Sequence, residues 1–281
     1  MSTDSPPLPD HSEWARFGIS DAVELHAGKQ SRVFRAEHDG VDVALKLTDG
    51  RLADRSLLQT RMALVEALAV DVDAVVGPHR IGRALAQPIG GWLMTATPFM
   101  TGDGVDLTQP RTNELLGRTL AQVHGSMALM PAQSLPPVAA LGDSAFDFDR
   151  SEWQLLHGDF NEQNMIVTTD GLRVFDFDDC GYGPIEFDVA NTLYMVLFDA
   201  DVHGRPDRYD AFRPAFLAGY AVGYGEQLDN EIIDDLLAVR VSALGHWLDN
   251  LTTAPIGIRT ASTEWHEVLR TFVRSRQRLR D

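Results

Sequence analysis

The residues best able to do chemistry lie together in His157-Gly158-Asp159-Phe160-Asn161-Glu162-Gln163-Asn164 and, twelve positions after Asn164, in Val174-Phe175-Asp176-Phe177-Asp178. A carboxylate on a tight loop can orient an attacking hydroxyl and take its proton. An amide oxygen and a second carboxylate are hard donors that suit magnesium, which in turn holds nucleotide phosphates. Asp159 and Asn164 are five positions apart and can face one cavity, and Asp176, after the hairpin that follows, can return to the same point. The absence of clustered His and Cys argues against zinc. The spacing therefore fits phosphoryl transfer, against the plain alternative of solvated acidic turns.

Positioning these groups requires a framework, and its pattern changes along the chain. Residues 1–13 are rich in Pro and Ser and read as a mobile lead-in. Val33–Glu37 and Asp42–Leu47 are β-patterned runs around His38-Asp39-Gly40, a hairpin signal. Asp54–Val70 has apolar residues at helical spacing without Gly or Pro, and 79–87 and 92–97 read as two more strands. Beyond the Gly-punctuated linker Thr101–Gly104 helices dominate, at 113–124 and near 188–199, 208–222, 230–251 and 262–280. Pro131–Pro137 reads as a loop, and Met165–Val167 with Leu172–Phe175 as a short hairpin turning at Asp170-Gly171. The expectation is an α+β chain: a small antiparallel sheet with one helix over 14–100, then a larger, mainly helical part over 101–281.

Charge narrows the partners. The 281 residues carry a formal net charge of −17, and 22 acidic against 6 basic residues fall between Asp143 and Asp249. Such a surface repels nucleic acid, which needs clustered Lys and Arg, and favours a cationic ligand; a merely solubilising surface is the plain alternative. Only two lysines, Lys29 and Lys46, stand among 22 arginines, so a lysine marks a place where arginine does not serve. The start lacks a basic and apolar leader, no run is long enough to span a membrane, and the single Cys180 excludes an internal disulfide. The expected location is the cytoplasm, as monomer or homodimer.

The two motifs resemble the aminoglycoside phosphotransferase and choline kinase superfamily, whose signature is H-G-D-x-x-x-x-N with a later I-D-F/W-D. The likeness continues through Asp178-Asp179-Cys180-Gly181-Tyr182-Gly183-Pro184 and Phe187-Asp188-Val189-Ala190. It implies a bilobal protein-kinase-like fold, ATP and Mg2+ as cofactors, Asp159 as catalytic base, Asn164 and Asp176 as metal ligands, and His157 and Asp188 as braces of the loop. It also implies a nucleotide lysine on the third strand, a part that Lys46 in Val43-Ala44-Leu45-Lys46-Leu47 can fill. The loop over the phosphates would be Ala27–Arg35, with Gly28, Ser31 and Val33 against the nucleotide. Aligning Gly102 with the family's hinge glycine sets the Pro98 carbonyl and the Met100 N–H against the adenine. The family's helix glutamate, which pairs with the lysine, is out of place: Gln59 to Met62 fall near that point, and Glu66 lies a turn further on.

The implied activity is transfer of the ATP γ-phosphate to a hydroxyl of a small, cationic molecule such as an aminoglycoside, another basic antibiotic or an amino alcohol. Only 32 residues separate His124 from His157, so a walling insertion common among relatives is short and a more open site is expected. A stress-response-type Ser/Thr protein kinase is the alternative, suggested by Phe216–Tyr220 and the Leu236–Arg240 run. A nucleotide-binding pseudokinase is a third reading. His124 itself reads as a packed or capping histidine.

Overall fold

The computed structural model describes residues 5–27, 31–142 and 150–277. The chain divides into two compact units, Met1–Gly102 with Thr168–Phe175, and Asp103–Val167 with Asp176–Asp281.

The first unit opens with α1 (His11–Ala15), within the lead-in expected to be mobile. The Asp10 side chain accepts the N–H groups of Ser12 and Glu13, while Glu13 reaches back to the Asp10 N–H, a reciprocal cap that satisfies donors of a very short helix. Five antiparallel strands follow: β1 (Ile19–Ala27), β2 (Ser31–His38), β3 (Val41–Asp49), β4 (Gln87–Ile89) and β5 (Trp92–Pro98), with α2 (Arg55–Asp71) between β3 and β4. Their order is β1-β2-β3-β5-β4. Asp39 and Gly40 turn β2 into β3 with φ of 52° and 79°, the left-handed pair that matches strand twist in a two-residue hairpin. On β3 the period of two sends Val43, Leu45 and Leu47 into a core with Phe34, Trp92 and Met94. Lys46 therefore occupies the opposite face, half-buried, in register with Val33 and Thr95.

α2 starts where Asp54 caps the Leu57 N–H at 2.9 Å and buries Leu58, Met62, Val65 and Leu68. The strand expected over 79–87 is a correction: strand geometry is confined to Gln87–Ile89. The Gln59 side chain accepts the N–H groups of Leu85 and Ala86, both at 3.0 Å. Gln87 Nε2 donates to the Ile81 carbonyl at 2.8 Å. Side chains thus take the places of ladder partners, and Gly82 turns with φ of 68°.

In the second unit α3 (Pro110–Ala128) and α4 (Ala139–Gly142) precede β6 (Gln154–Leu156) and β7 (Met165–Thr168). β8 (Gly171–Val174) belongs with the first unit, where the Val174 N–H donates to the Ala74 carbonyl at 2.7 Å. β9 (Gly181–Gly183) then pairs antiparallel with β6, and α5 (Ile185–Val202), α6 (Pro206–Tyr224), α7 (Asn230–Asp249), α8 (Ile256–Arg259) and α9 (Thr263–Gln277) complete the chain. α3 and α6 press backbone on backbone: a Cβ on Gly219 would lie 2.0 Å from the Glu114 carbonyl oxygen. α5, α7 and α9 share an apolar core of Tyr194, Leu244, Phe272 and Val273. The α+β class agrees with the sequence reading. The short α1, β9 and α8 escaped it, being too brief to show a period.

Candidate active site

The loop that carries the first motif leaves β6 and turns at Gly158, whose φ is +86°. A Cβ there would lie 2.3 Å from the Asp179 carbonyl oxygen, so glycine is required both by conformation and by close approach. That approach brings the two motifs together: the segment after Asp176 packs on the loop of Asp159. The rings of Phe177 and His157 lie 4.2 Å apart, and Phe160 meets His157 edge-on at 5.6 Å. Asp176 itself takes a left-handed conformation, φ +63°, uncommon outside glycine and tolerated best by Asn and Asp.

Within the loop Asn164 Nδ2 donates to the Asp159 carbonyl at 2.9 Å and to Asp159 Oδ2 at 3.0 Å. The two side chains singled out by spacing therefore meet. The amide orientation turns Asn164 Oδ1 away from Asp159, leaving an oxygen donor that suits a hard cation. The carboxylates of Asp159 and Asp176 are likewise hard oxygen donors, of the kind that suits magnesium better than zinc. Among the described residues no group of three His, Cys, Asp or Glu is disposed to hold a metal; an amide would have to complete such a set.

The loop is clamped from α5. Buried Asp188 accepts the His157 N–H at 2.7 Å on Oδ2 and the Gly158 N–H at 2.9 Å on Oδ1. Thr192 Oγ1 donates to the Phe160 carbonyl at 2.7 Å, and Asn191 Nδ2 reaches the Gly158 carbonyl at 3.4 Å. His157 Nδ1 accepts the Asp159 N–H at 3.2 Å. Behind Asp188 stands a residue that sequence reasoning undervalued. His124, fully buried on α3, places Nε2 3.1 Å from Asp188 Oδ2 and Nδ1 2.8 Å from the Tyr220 hydroxyl. Burial pushes the Tyr220 phenol up, so it stays protonated. His124 lies on the apolar face of α3, and one sequence offers no sign that separates a packed histidine from a hydrogen-bonded one.

Acidic groups flank the loop. Burial pushes the Glu162 carboxyl above the usual carboxylate range, Arg208 opposes this, and Asp199 and Asp159 reinforce it. Asp199 is already engaged by Arg208 at 2.5 Å and by His203 Nδ1 at 3.1 Å.

The nucleotide-side candidates lie in the first unit. Ser31 and Val33 are in β2, Ser31 as its first residue; Gly28 lies outside the described residues. Pro98 ends β5 opposite Val43, and the Phe99 N–H donates to the Asp42 carbonyl at 2.9 Å, so Met100 follows a strand end that is held in place. Glu66 is taken by Arg80, with Nε to Oε1 at 2.7 Å, and Gln59 caps backbone groups as described above.

Residues 135–231 match the model of the phosphotransferase enzyme family. No curated protein matches the chain. Among solved structures, amicoumacin kinase hAmiN in complex with AMP-PNP, Ca2+ and Ami is 18% identical with a TM-score of 0.70, covering 90% of this chain and 86% of that one. The microcompartment-associated aminopropanol kinase is 15% identical, with a TM-score of 0.66 over 94% and 93% of the two chains. An aminoglycoside phosphotransferase from Alicyclobacillus acidocaldarius is 14% identical, with a TM-score of 0.61 over 99% and 98%. At these identities the likeness is one of fold. The segment that carries both motifs is thus identified with the phosphotransferase enzyme family, and the chain has the fold of the small-molecule kinases.

Proposed function

We propose that the chain is an ATP- and magnesium-dependent kinase that phosphorylates a hydroxyl of a small molecule. One observation carries the reading: the Asp159 and Asn164 side chains meet at 3.0 Å on a loop whose backbone a buried carboxylate holds. Asp159 orients the acceptor hydroxyl and receives its proton as the oxygen attacks the γ-phosphorus; the bond from that phosphorus to the bridging oxygen breaks and ADP leaves. Asn164 and Asp176 would hold magnesium, which neutralises the phosphate oxygens when bound. Lys46 on β3 serves the nucleotide phosphates, with Ser31 and Val33 of β2 beside it and Gly28, outside the described residues, as a further phosphate contact; the Pro98 carbonyl and Met100 N–H receive the adenine. His157 and Asp188 keep the loop in shape.

For the acceptor, Glu162 and Asp199 beside the loop favour a positively charged compound, such as an amino alcohol or a basic antibiotic. Arg208 already neutralises Asp199, which favours a compound of low rather than high positive charge. The test is an ADP-release screen across amino alcohols, basic antibiotics and sugars. Asp159→Asn should retain ATP binding and lose turnover by about two orders of magnitude or more, the usual worth of a general base. Full activity in that variant would overturn the assignment. Phosphate appearing on the protein itself or on a generic protein would favour a protein kinase.

A further inference from the structure

The second unit contains a cavity of about 830 Å³ that the loop chemistry does not use. It opens between the C-terminal end of α5, the start of α6, the middle of α7 and the end of α9, and no residue of the loop 157–164 is among those that line it. Asp188 and Thr192 of α5 bond the loop, whereas Leu197, Ala200 and Asp201, further along the helix, line the cavity with Gly204 just beyond its end. Its volume is that of a drug-sized ligand site.

The lining has a definite chemistry. Leu197, Leu237 and Val241 make an apolar wall. Two arginines are fixed by carboxylates: Arg213 by Asp234 at 2.7 Å and Arg276 by Asp201 at 2.5 Å. Being held in place, they are preorganised to receive a ligand rather than swinging in solvent. Arg276 Nε is buried with no hydrogen-bond partner among the described residues, a donor that a ligand oxygen would satisfy. The Tyr209 hydroxyl lies 3.5 Å from Arg213 Nη1 and can donate as well. Asp210, one residue on, also lines the cavity, is exposed, and has no hydrogen-bond or ion-pair partner among the described residues. A carboxylate available for a cation thus stands with donors available for an anion beside an apolar surface.

We propose that this cavity is a second ligand site, distinct from the loop of Asp159, for a zwitterion of amino-acid type with an apolar body. Its ammonium meets Asp210, its carboxylate meets Arg276 Nε and the Tyr209 hydroxyl, and its hydrocarbon lies on Leu197, Leu237 and Val241. α5 carries both this wall and the residues that clamp the catalytic loop, so an occupant would stiffen the helix from which the loop hangs.

The test is calorimetry on the full chain, with leucylphenylalanine as probe beside its N-acetylated and C-amidated forms. Binding of the free dipeptide should weaken about tenfold or more on blocking either end, and likewise in Asp210→Asn and Arg276→Gln, each equivalent to losing one charged contact. Asp159→Asn should bind the probe as the parent does, which keeps this result separate from the kinase reading. Thermal unfolding of each variant without probe checks that it is folded. The proposal is overturned if the dipeptide and free leucine and phenylalanine all fail to bind at millimolar concentration. It is equally overturned if binding ignores Asp210→Asn and Arg276→Gln, or if Asp159→Asn abolishes it.

Discussion

Replacing Asp188 by Asn preserves shape and removes one charge, so its effect can be worked from the geometry. Asp188 is fully buried and accepts three hydrogen bonds: Oδ2 takes the His157 N–H and faces His124 Nε2, and Oδ1 takes the Gly158 N–H. An asparagine has one oxygen to offer. In its better orientation the oxygen keeps the His157 and His124 bonds, and its NH2 group then faces the Gly158 N–H, donor against donor. One buried amide is left unsatisfied, and the two remaining bonds lose their charge assistance. At about 1–3 kcal/mol for the orphaned donor and about 1 kcal/mol for each weakened bond, the expected loss is about 3–5 kcal/mol. Urea unfolding followed by circular dichroism measures it, with Asp170→Asn on an exposed turn as a control that should shift stability by no more than about 0.5 kcal/mol. Turnover should also fall by about 100-fold while ATP affinity holds, because the loop loses its anchor and not its nucleotide groups. A stability change under about 1 kcal/mol, with turnover intact, would refute the clamp.

Two further substitutions separate neighbouring ideas. Glu66→Gln breaks the exposed pair with Arg80; nucleotide affinity should stay within about twofold of the parent in a titration with a fluorescent ATP analogue, as expected for a surface ion pair, and a larger loss would mean that Glu66 serves the nucleotide lysine after all. Glu162→Gln bears on pH. Burial raises this carboxyl in the folded chain, so the folded state binds more protons than the unfolded one in the window from the ordinary carboxylate range upward, and its contribution to stability falls as pH rises through that window. The variant should therefore gain stability relative to the parent at neutral pH and lose that advantage below the ordinary range; equal pH profiles in urea titrations would contradict this.

Much of the site was legible in the sequence because its groups are close along the chain. Asp159 and Asn164 sit five apart on one tight loop, and local geometry alone brings them together. The face that Lys46 takes on β3 was legible for a related reason, since the period of two in Val43–Leu47 assigns it. The hairpin at Asp39-Gly40 followed from the two left-handed positions that such a turn demands. The 79–87 segment failed for want of long-range information, since Gln59, more than 20 residues upstream, satisfies backbone groups there that a strand would otherwise pair.

What the sequence alone determined, then, is the type and order of the main elements and the chemical identity of the loop, because periodicity, turn residues and short spacings are local properties. Tertiary structure decided which distant side chains support that loop and where a second cavity lies. His124, Asp188 and Tyr220 are far apart in the chain, and only the packing of α3, α5 and α6 makes them neighbours, buried where each polar group must find a partner. The charged cavity at the end of α5 has the same origin: four helices contribute to its wall, and no single segment carries its pattern.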